Sequence, residues 1–587
     1  MGRWASEKSA AKEVPRRGSH IFPLARLLIY SIPIIFLLLF YFYPLISILS
    51  LSFAFEGRFD PAAIETLLNK PHYLRTLWFT IWQALVSTLL TVGLALPGAY
   101  VFARYEFPGK SLVQALTTVP FVLPTIVVAM AFGALLGPRG LVNTTLMEVL
   151  GLDRPPLDLQ HRLAIILLAH VFYNYTLVVR IVSTYWANLD PRLAEAARML
   201  GASRWRAFRE VTLPLLIPAV GAAALLVFIF CFTSFGVILV LGGPRFATLE
   251  VEIYRQTVNY FNLPLAATLS IFQIVFTFTL MAVYTRIQAR TALPLELRSR
   301  RATQRRPLNW RERLLIGANV GLMLALLATP LGALVARSFS TESGLTLDFY
   351  RFLFYNPRES AFYVPPGAAA LNSLGFALAT VALSVTLGLM AVSALAQRKE
   401  TRFSPKIGFL RRVAKTRFLD PIFMLPLGTS AVTLGLGYIV ALDEPPLNLR
   451  ASPVLIVLAH TLVALPFVVR SVLPALQSIN PRLRESAALL GASPWHVWRE
   501  VDLPIVARAV LVSAVFAFTI SMGEFGATSL IARPERPTLP VAIYRYLGRP
   551  GVLNYGQAMA MATILMLVCA AGFLAIERFR VGEVGEF

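Results

Sequence analysis

Apolar stretches near twenty residues long, almost free of charge, recur along this chain of 587 residues. About twenty apolar residues in helical geometry span about 30 Å, the thickness of a bilayer's hydrocarbon layer. No water is available there to satisfy a peptide group, so each stretch must bond its own backbone as a helix. A large soluble helical protein would need a charged face on each helix, and most of these runs have none. Composition agrees, with 57% hydrophobic and 14% charged residues, against about 25% charged in ordinary soluble domains. The expected fold class is an all-α polytopic membrane protein.

Twelve spanning helices are expected, at 27–49, 77–103, 112–136, 163–187, 213–241, 265–286, 313–337, 372–396, 418–441, 453–477, 504–531 and 555–577. Prolines inside them, such as Pro120, Pro124 and Pro426, are tolerated where neighbouring helices satisfy the freed carbonyls. The polar, basic residues 1–20 precede an apolar run from Ile21 to Leu51. That run is too long for a signal-peptide core and lacks a small-residue cleavage site, so it is expected to stay as the first span.

The net charge of +23 is not spread evenly. It concentrates in the N-terminal tail, in the linker from Arg286 to Arg313, and in the loop from Arg398 to Arg417. The loop 442–452 on the opposite side balances Asp443 and Glu444 against Arg450. Basic loops mark the cytoplasmic side of a membrane protein. This distribution, without a recognisable nucleic-acid-binding fold, argues for no nucleic-acid partner and for contact with membrane lipids. It places both termini in the cytoplasm.

The chain also repeats itself. Adding 290 carries Leu168-Ala169-His170 onto Leu458-Ala459-His460, Pro191-Arg192-Leu193 onto Pro481-Arg482-Leu483, and Phe235-Gly236 onto Phe525-Gly526. The offset holds without a gap from about 168 to 254. Each unit has six spans and starts on the same side, so the repeats are parallel and related by an axis along the membrane normal. The expected organisation is a basic tail (1–26), a first repeat (27–286), a basic linker (287–312), a second repeat (313–577) and a short cytoplasmic tail (578–587).

Within each repeat lies one polar, surface-seeking segment: EAARMLGASRWRAFREVTLP from Glu195 to Pro214, and ESAALLGASPWHVWREVDLP from Glu485 to Pro504. Asp190-Pro191 and Asn480-Pro481 are helix-start signals. Gly201 and Gly491 end a short helix or permit a sharp turn. Ser203 and Ser493 can cap a second one, carrying Trp205 or Trp495. Ala196, Ala197 and Leu200, with Ala487 and Leu490, form a small apolar face expected to pack closely. The expectation is helix, turn, helix along the membrane surface on the basic side.

This pattern resembles the EAA loop of binding-protein-dependent ABC transporter permeases: EAA, three residues, Gly, nine residues, then an aliphatic residue, any residue, Leu and Pro. The first copy, with Glu195, Ala196, Ala197, Gly201, Leu213 and Pro214, meets it in full. The second, with Glu485, Ser486, Ala487, Gly491, Leu503 and Pro504, replaces the middle alanine by serine. The resemblance covers essentially the whole chain as a fusion of two permease halves. It implies that loops 190–214 and 480–504 dock two ABC ATPase subunits. Glu195 and Glu485 would pair with a basic residue there. A solute-binding protein would dock on the other face, and localisation would be the bacterial inner membrane. Fused permeases of this size resemble ferric-iron and thiamine importers. The stretch CFTSFGVILVLGGPRFATLEVEIYRQ (231–256), with LAHVFYN upstream, looks closer to the thiamine type; the C-terminal SMGEFGATSLIARPERPTLPVAIYRYL is shared more widely. Polyamine and phosphonate substrates remain open within the same class.

Other residues carry weaker signals. Glu524 is an ionisable residue inside an expected span, which points to the pathway or gating; alternatively it caps a helix break at Gly523 and Gly526. Its repeat mate is Ser234. Arg180 and Arg470 either line the pathway or snorkel to headgroups. His170 and His460 are expected to be hydrogen-bonding residues and not metal ligands. Cys231 and Cys569 lie in apolar runs without ligand spacing, so no metal or other cofactor is expected. Gly109-Lys110-Ser111 ends like a phosphate-binding loop, but position 104 is Arg104 where the glycine belongs and no strand precedes it. The chain is therefore expected not to be an enzyme and to borrow ATP hydrolysis from a separate subunit. An ion-coupled secondary transporter is the alternative, and it calls for charged residues at mid-membrane that the expected spans 2–6 and 7–10 almost entirely lack.

Overall fold

The computed structural model describes residues 31–55, 58–59, 62–291, 304–341, 344–355, 365–397, 419–443, 445 and 447–580. The expected basic tail, much of the linker, the loop Arg398–Arg417 and residues 581–587 lie outside them.

Among the described residues, eleven helices are long and apolar enough to cross a bilayer, from Ser31–Phe53 to Val552–Ala575. One further apolar pair, Ile422–Gly428 and Ala431–Ala441, meets at 105°, the shape of a broken span or a re-entrant loop. Proline and glycine punctuate the break: Pro426 and Gly428 sit in a short 3₁₀ turn. The Ser430 hydroxyl then starts the next piece by accepting from the backbone N–H groups of Val432 (3.1 Å) and Thr433 (3.4 Å). The only strands among the described residues are two antiparallel ribbons, Ala54–Phe55 with Arg58–Phe59 and Ser340–Thr341 with Gly344–Leu345. One follows the first helix of each half.

Several expected spans are not continuous. The stretch 112–136 is divided into Lys110–Val122 and Thr125–Leu136, with Leu123 extended before Pro124, because the proline ring disfavours helical backbone at the preceding residue. The stretch 213–241 breaks into Leu213–Phe232 and Gly236–Leu241, and 504–531 into Leu503–Gly523 and Gly526–Ile531. A glycine opens each second piece where another helix presses in. A Cβ on Gly236 would lie 2.3 Å from Thr125 Oγ1, and one on Gly526 would lie 2.9 Å from Ala431 Cβ. Two further helices, Leu249–Val258 and Leu539–Leu547, occupy segments read from sequence as loops.

The halves exchange their first helices. Phe36, Leu37 and Tyr41 belong to the hydrophobic core of the second half, with Leu434, Tyr438 and Leu462. The Tyr41 hydroxyl and Thr429 Oγ1 share a 2.8 Å hydrogen bond across 388 residues of sequence. Reciprocally, Met323, Leu327 and Leu334 of the helix Trp310–Ser338 enter the core of the first half beside Val127 and Met130. Arg337 donates to Thr144 Oγ1 at 2.9 Å. Within each half, a glycine lets the second long helix approach the fourth. A Cβ on Gly98 would come within 2.6 Å of the Tyr175 hydroxyl, and on Gly388 within 2.4 Å of Val468 Cγ1. Gly98 and Gly388 are 290 apart, which carries the repeat further upstream than the sequence matches did.

Candidate functional site

The two surface segments fold alike. Asp190 caps the helix Pro191–Met199 by accepting from Arg192 N at 3.0 Å, and Asn480 caps Pro481–Leu489 by accepting from Arg482 N at 3.1 Å. Each helix closes on a left-handed glycine, Gly201 at φ +92° and Gly491 at φ +87°. The reversal is fixed by matched backbone bonds: Ala202 N to Ala197 O (3.1 Å) and Ala492 N to Ala487 O (3.0 Å). Ser203 then accepts from Arg206 N (3.2 Å), and Ser493 from His496 N (3.4 Å), to start the next turn. A π-turn, Phe208–Thr212 or Trp498–Asp502, leads into the spanning helix at Leu213 or Leu503.

The apolar face of these loops is left bare by the rest of the chain. Met199 and Leu200 are 89% and 90% exposed, and Leu489 and Leu490 are 88% and 89% exposed. Trp205 and Trp495 are exposed too. Glu195, Ala196, Gly201 and Pro214 are exposed, as are Glu485, Ser486, Gly491 and Pro504, while Ala197, Ala487, Leu213 and Leu503 are half-buried. A matched pair of bare apolar knobs on polar helices is a surface shaped for partners. The copies differ in their anchors: Arg484 donates to Asp502 at 2.7 Å, whereas Arg206 and Glu210 pair at 3.1 Å on the exposed face of the first copy.

At the far end of the helices Leu213–Phe232 and Leu503–Gly523, each about 30 Å long, the halves meet. The rings of Phe235 and Phe525 stack with centroids 5.5 Å apart and planes 25° from parallel. These residues are repeat mates, so their contact lies on the pseudo-two-fold axis. Tyr254 packs on Phe235 at 5.4 Å and its mate Tyr544 on Phe525 at 5.5 Å, and the two tyrosines also meet each other, so the four rings form a closed row across the boundary.

Beside that row, the structure brings Glu524 and Ser234 each to a histidine. His170 bonds Ser87 through Nδ1 and Ser234 through Nε2, both at 2.9 Å. His460 bonds Ser521 through Nδ1 (2.7 Å) and Thr528 through Nε2 (2.8 Å), with Glu524 Oε2 3.4 Å from the same nitrogen. Glu524 also starts the helix Gly526–Ile531, accepting from Ala527 N (2.8 Å), Thr528 N (2.9 Å) and the Thr528 hydroxyl. Arg180 and Arg470 are exposed at matched positions in Leu163–Asn188 and Val454–Gln477.

Sequence reasoning missed the buried acids Glu250 and Glu252, 1% and 2% exposed in the helix Leu249–Val258. Glu252 accepts from Gln256 Nε2 at 2.7 Å and lies 3.5 Å from His72. Glu250 accepts from Gln273 and, across the boundary between halves, from Ser430 at 2.5 Å. Among the described residues, no group of three or more His, Cys, Asp or Glu could hold a metal ion.

The family described as "Binding-protein-dependent transport system inner membrane component" matches residues 92–293 and again 407–580. The thiamine transport system permease protein ThiP of Brucella abortus (strain 2308) is 30% identical over 533 residues, covering 89% of this chain and 90% of its own. The ThiP of Escherichia coli (strain K12) is 27% identical over 510 residues, 85% of this chain and 88% of its own. Among solved structures, a bacterial ABC transporter involved in the import of the acidic polysaccharide alginate aligns with a TM-score of 0.39 and 20% identity, over 46% of this chain and 96% of that one.

Proposed function

From the premise that this chain belongs to the binding-protein-dependent transport system inner membrane components, matched once in each half, we propose that it is the thiamine-translocating permease of an ABC importer. It is a fused permease, with both halves in one multi-pass membrane polypeptide. Family membership decides against the ion-coupled secondary transporter. Thiamine is favoured over ferric iron, polyamines and phosphonates by the likeness to thiamine permeases along nearly 90% of the chain.

The observation that carries the coupling role is the matched pair of helix–glycine–helix loops, each offering bare apolar knobs. Two ATPase subunits dock there, one on each loop, with Leu200 and Leu490 entering their surfaces and Glu195 and Glu485 meeting basic groups. Burying the exposed apolar pair of each loop, Met199 with Leu200 or Leu489 with Leu490, is worth about 3–6 kcal/mol before the costs of association. A solute-binding protein delivers thiamine on the opposite face, and the termini lie on the ATPase side. Closing of the ATPase pair moves the loops, and the stiff helices starting at Leu213 and Leu503 carry that motion to the Phe235–Phe525 contact.

The test is thiamine uptake into proteoliposomes holding the permease with its ATPase and binding protein, for wild type, Glu195→Ala and Glu485→Ala. The expected result is ATP-dependent accumulation by wild type. Each variant should lose uptake and binding-protein-stimulated hydrolysis while staying folded in the membrane. Normal uptake by both variants would remove the loops from energy coupling, and no uptake by wild type would remove thiamine.

A further inference from the structure

Three features coincide where the halves touch beside the four-ring row. The Glu250 carboxylate crosses the boundary, with Ser430 of the second half donating to Oε2 at 2.5 Å and Gln273 of the first half donating to Oε1. Glu250 stands one helical turn before Tyr254, so the carboxylate and the aromatic row share a helix face. Gln273 Oε1 is buried and has no hydrogen-bond partner among the described residues. Burying a carboxylate is expensive, and the repeat architecture does not demand one, since the mate of Glu250 is Pro540.

Parting the halves does two things at once. It withdraws the Ser430 hydroxyl from Glu250, and it unstacks Phe235 from Phe525. An anionic oxygen and aromatic faces are uncovered side by side. Ring faces attract cations and stack on flat rings, and a carboxylate accepts from N–H donors or pairs with positive charge. The arginines next to the two tyrosines bond backbone carbonyls, Arg255 to Gly243 O at 3.0 Å and Arg545 to Pro534 O at 3.2 Å, and each also lies near the tyrosine of the other half.

We propose that this junction is the solute-contact point of the pathway. Glu250, with the rings of Phe235, Phe525 and Tyr254, selects an organic cation bearing a flat aromatic ring, and Gln273 Oε1 is the second acceptor. Ser430 holds the carboxylate's place when no solute is present. The inference rests on the import reading above and names the residues that touch the solute.

The experiment uses the complete transporter in proteoliposomes and reads labelled thiamine accumulated per ATP hydrolysed. Glu250→Gln keeps the shape and an acceptor for Ser430 but removes the charge; the ratio should fall about ten-fold or more. Glu250→Asp keeps the charge and should retain more than E250Q. Phe525→Leu should lower the ratio about three-fold. Ser430→Gly removes the bond between halves and leaves the acid, and glycine is tolerated where the serine caps the helix Ala431–Ala441, so it should hold the ratio within about two-fold of wild type. Equal losses in E250Q and S430G would make Glu250 a mechanical latch and overturn the proposal. An unchanged ratio in E250Q, or a lower ratio in E250D than in E250Q, would overturn it too. Failure of the wild-type complex to accumulate thiamine would overturn the cationic solute together with the import reading, whereas the other outcomes strike this site alone.

Discussion

Glu524 Oε2 lies 3.4 Å from His460 Nε2, with neither side chain reaching solvent, while at the matched place in the first half His170 meets Ser234 instead at 2.9 Å. The repeat has kept the histidine and changed its partner. The acid holds three donors of the helix Gly526–Ile531, so it fixes the helix break beside the row of rings.

Glu524→Ala should therefore leave buried N–H groups unpaired and cost about 3–5 kcal/mol. Glu524→Ser, which installs the first half's own pairing, should cost less. Thermal unfolding of the purified protein in detergent checks the order, and an Ala variant as stable as the Ser variant would contradict it.

Gly388→Ala should destabilise more than Gly98→Ala. The new methyl at 388 meets both Cγ1 (2.4 Å) and Cβ (3.1 Å) of the packed Val468, whereas at 98 its one close contact is the Tyr175 hydroxyl at 2.6 Å, the far end of a long side chain, with Val179 Cγ2 at an ordinary 3.4 Å. Overpacking of the first kind costs about 1–3 kcal/mol. The same unfolding measurement compares the two.

Gly201→Ala and Gly491→Ala meet no atom within 4 Å, so the cost is confined to backbone in the left-handed region, about 1–2 kcal/mol. Since each turn is exposed, melting temperature should move little and binding-protein-stimulated ATP hydrolysis should fall. A variant with normal stimulation would show that the shape of the turn is not what the partner reads.

Tyr41→Phe removes one hydroxyl from the contact between the first helix and Thr429; the expected loss is about 0.5–1.5 kcal/mol. Tyr41→Ala also empties a fully buried site and should cost about 3–5 kcal/mol. A double variant with Thr429→Val should lose less than the two single losses added, since the two groups share one bond, and what it adds to Tyr41→Phe is the long 3.4 Å bond from Thr429 to Leu425 O.

The spans were legible because a bilayer sets their length and forbids charge, two constraints that few other environments impose. The surface loops were legible because Asp190-Pro191, Gly201 and Ser203 each act through local backbone chemistry, and the second copy repeats them. The breaks near Phe235 and Phe525 were not, because they depend on Thr125 and Ala431 arriving from distant parts of the chain. Thr233-Ser234-Phe235-Gly236 beside Gly523-Glu524-Phe525-Gly526 carried the signal, a polar interruption at the same place in both halves. Glu250 and Glu252 stayed hidden for a different reason. LEVEIYRQTV has the polarity of a loop; Gln256 within it serves Glu252, and only Gln273 and Ser430, arriving from distant parts of the chain, complete an interior helix around Glu250.

The exchanged first helices also set a timetable for synthesis. Tyr41 leaves the ribosome 388 residues before Thr429, its hydrogen-bond partner, which at about 5–20 residues per second is roughly 20–80 s. Through that interval the newborn helix Ser31–Phe53 can pack on Leu263–Thr291 of its own half, with Ser52 beside Thr268, but its Tyr41 hydroxyl has no Thr429 to meet. The first half can thus insert before the second exists, yet it reaches its final packing only after most of the second half has been made. A truncation in the second half would leave the Tyr41 hydroxyl, and the face of its helix that meets Leu434 and Tyr438, without the partners of the finished fold.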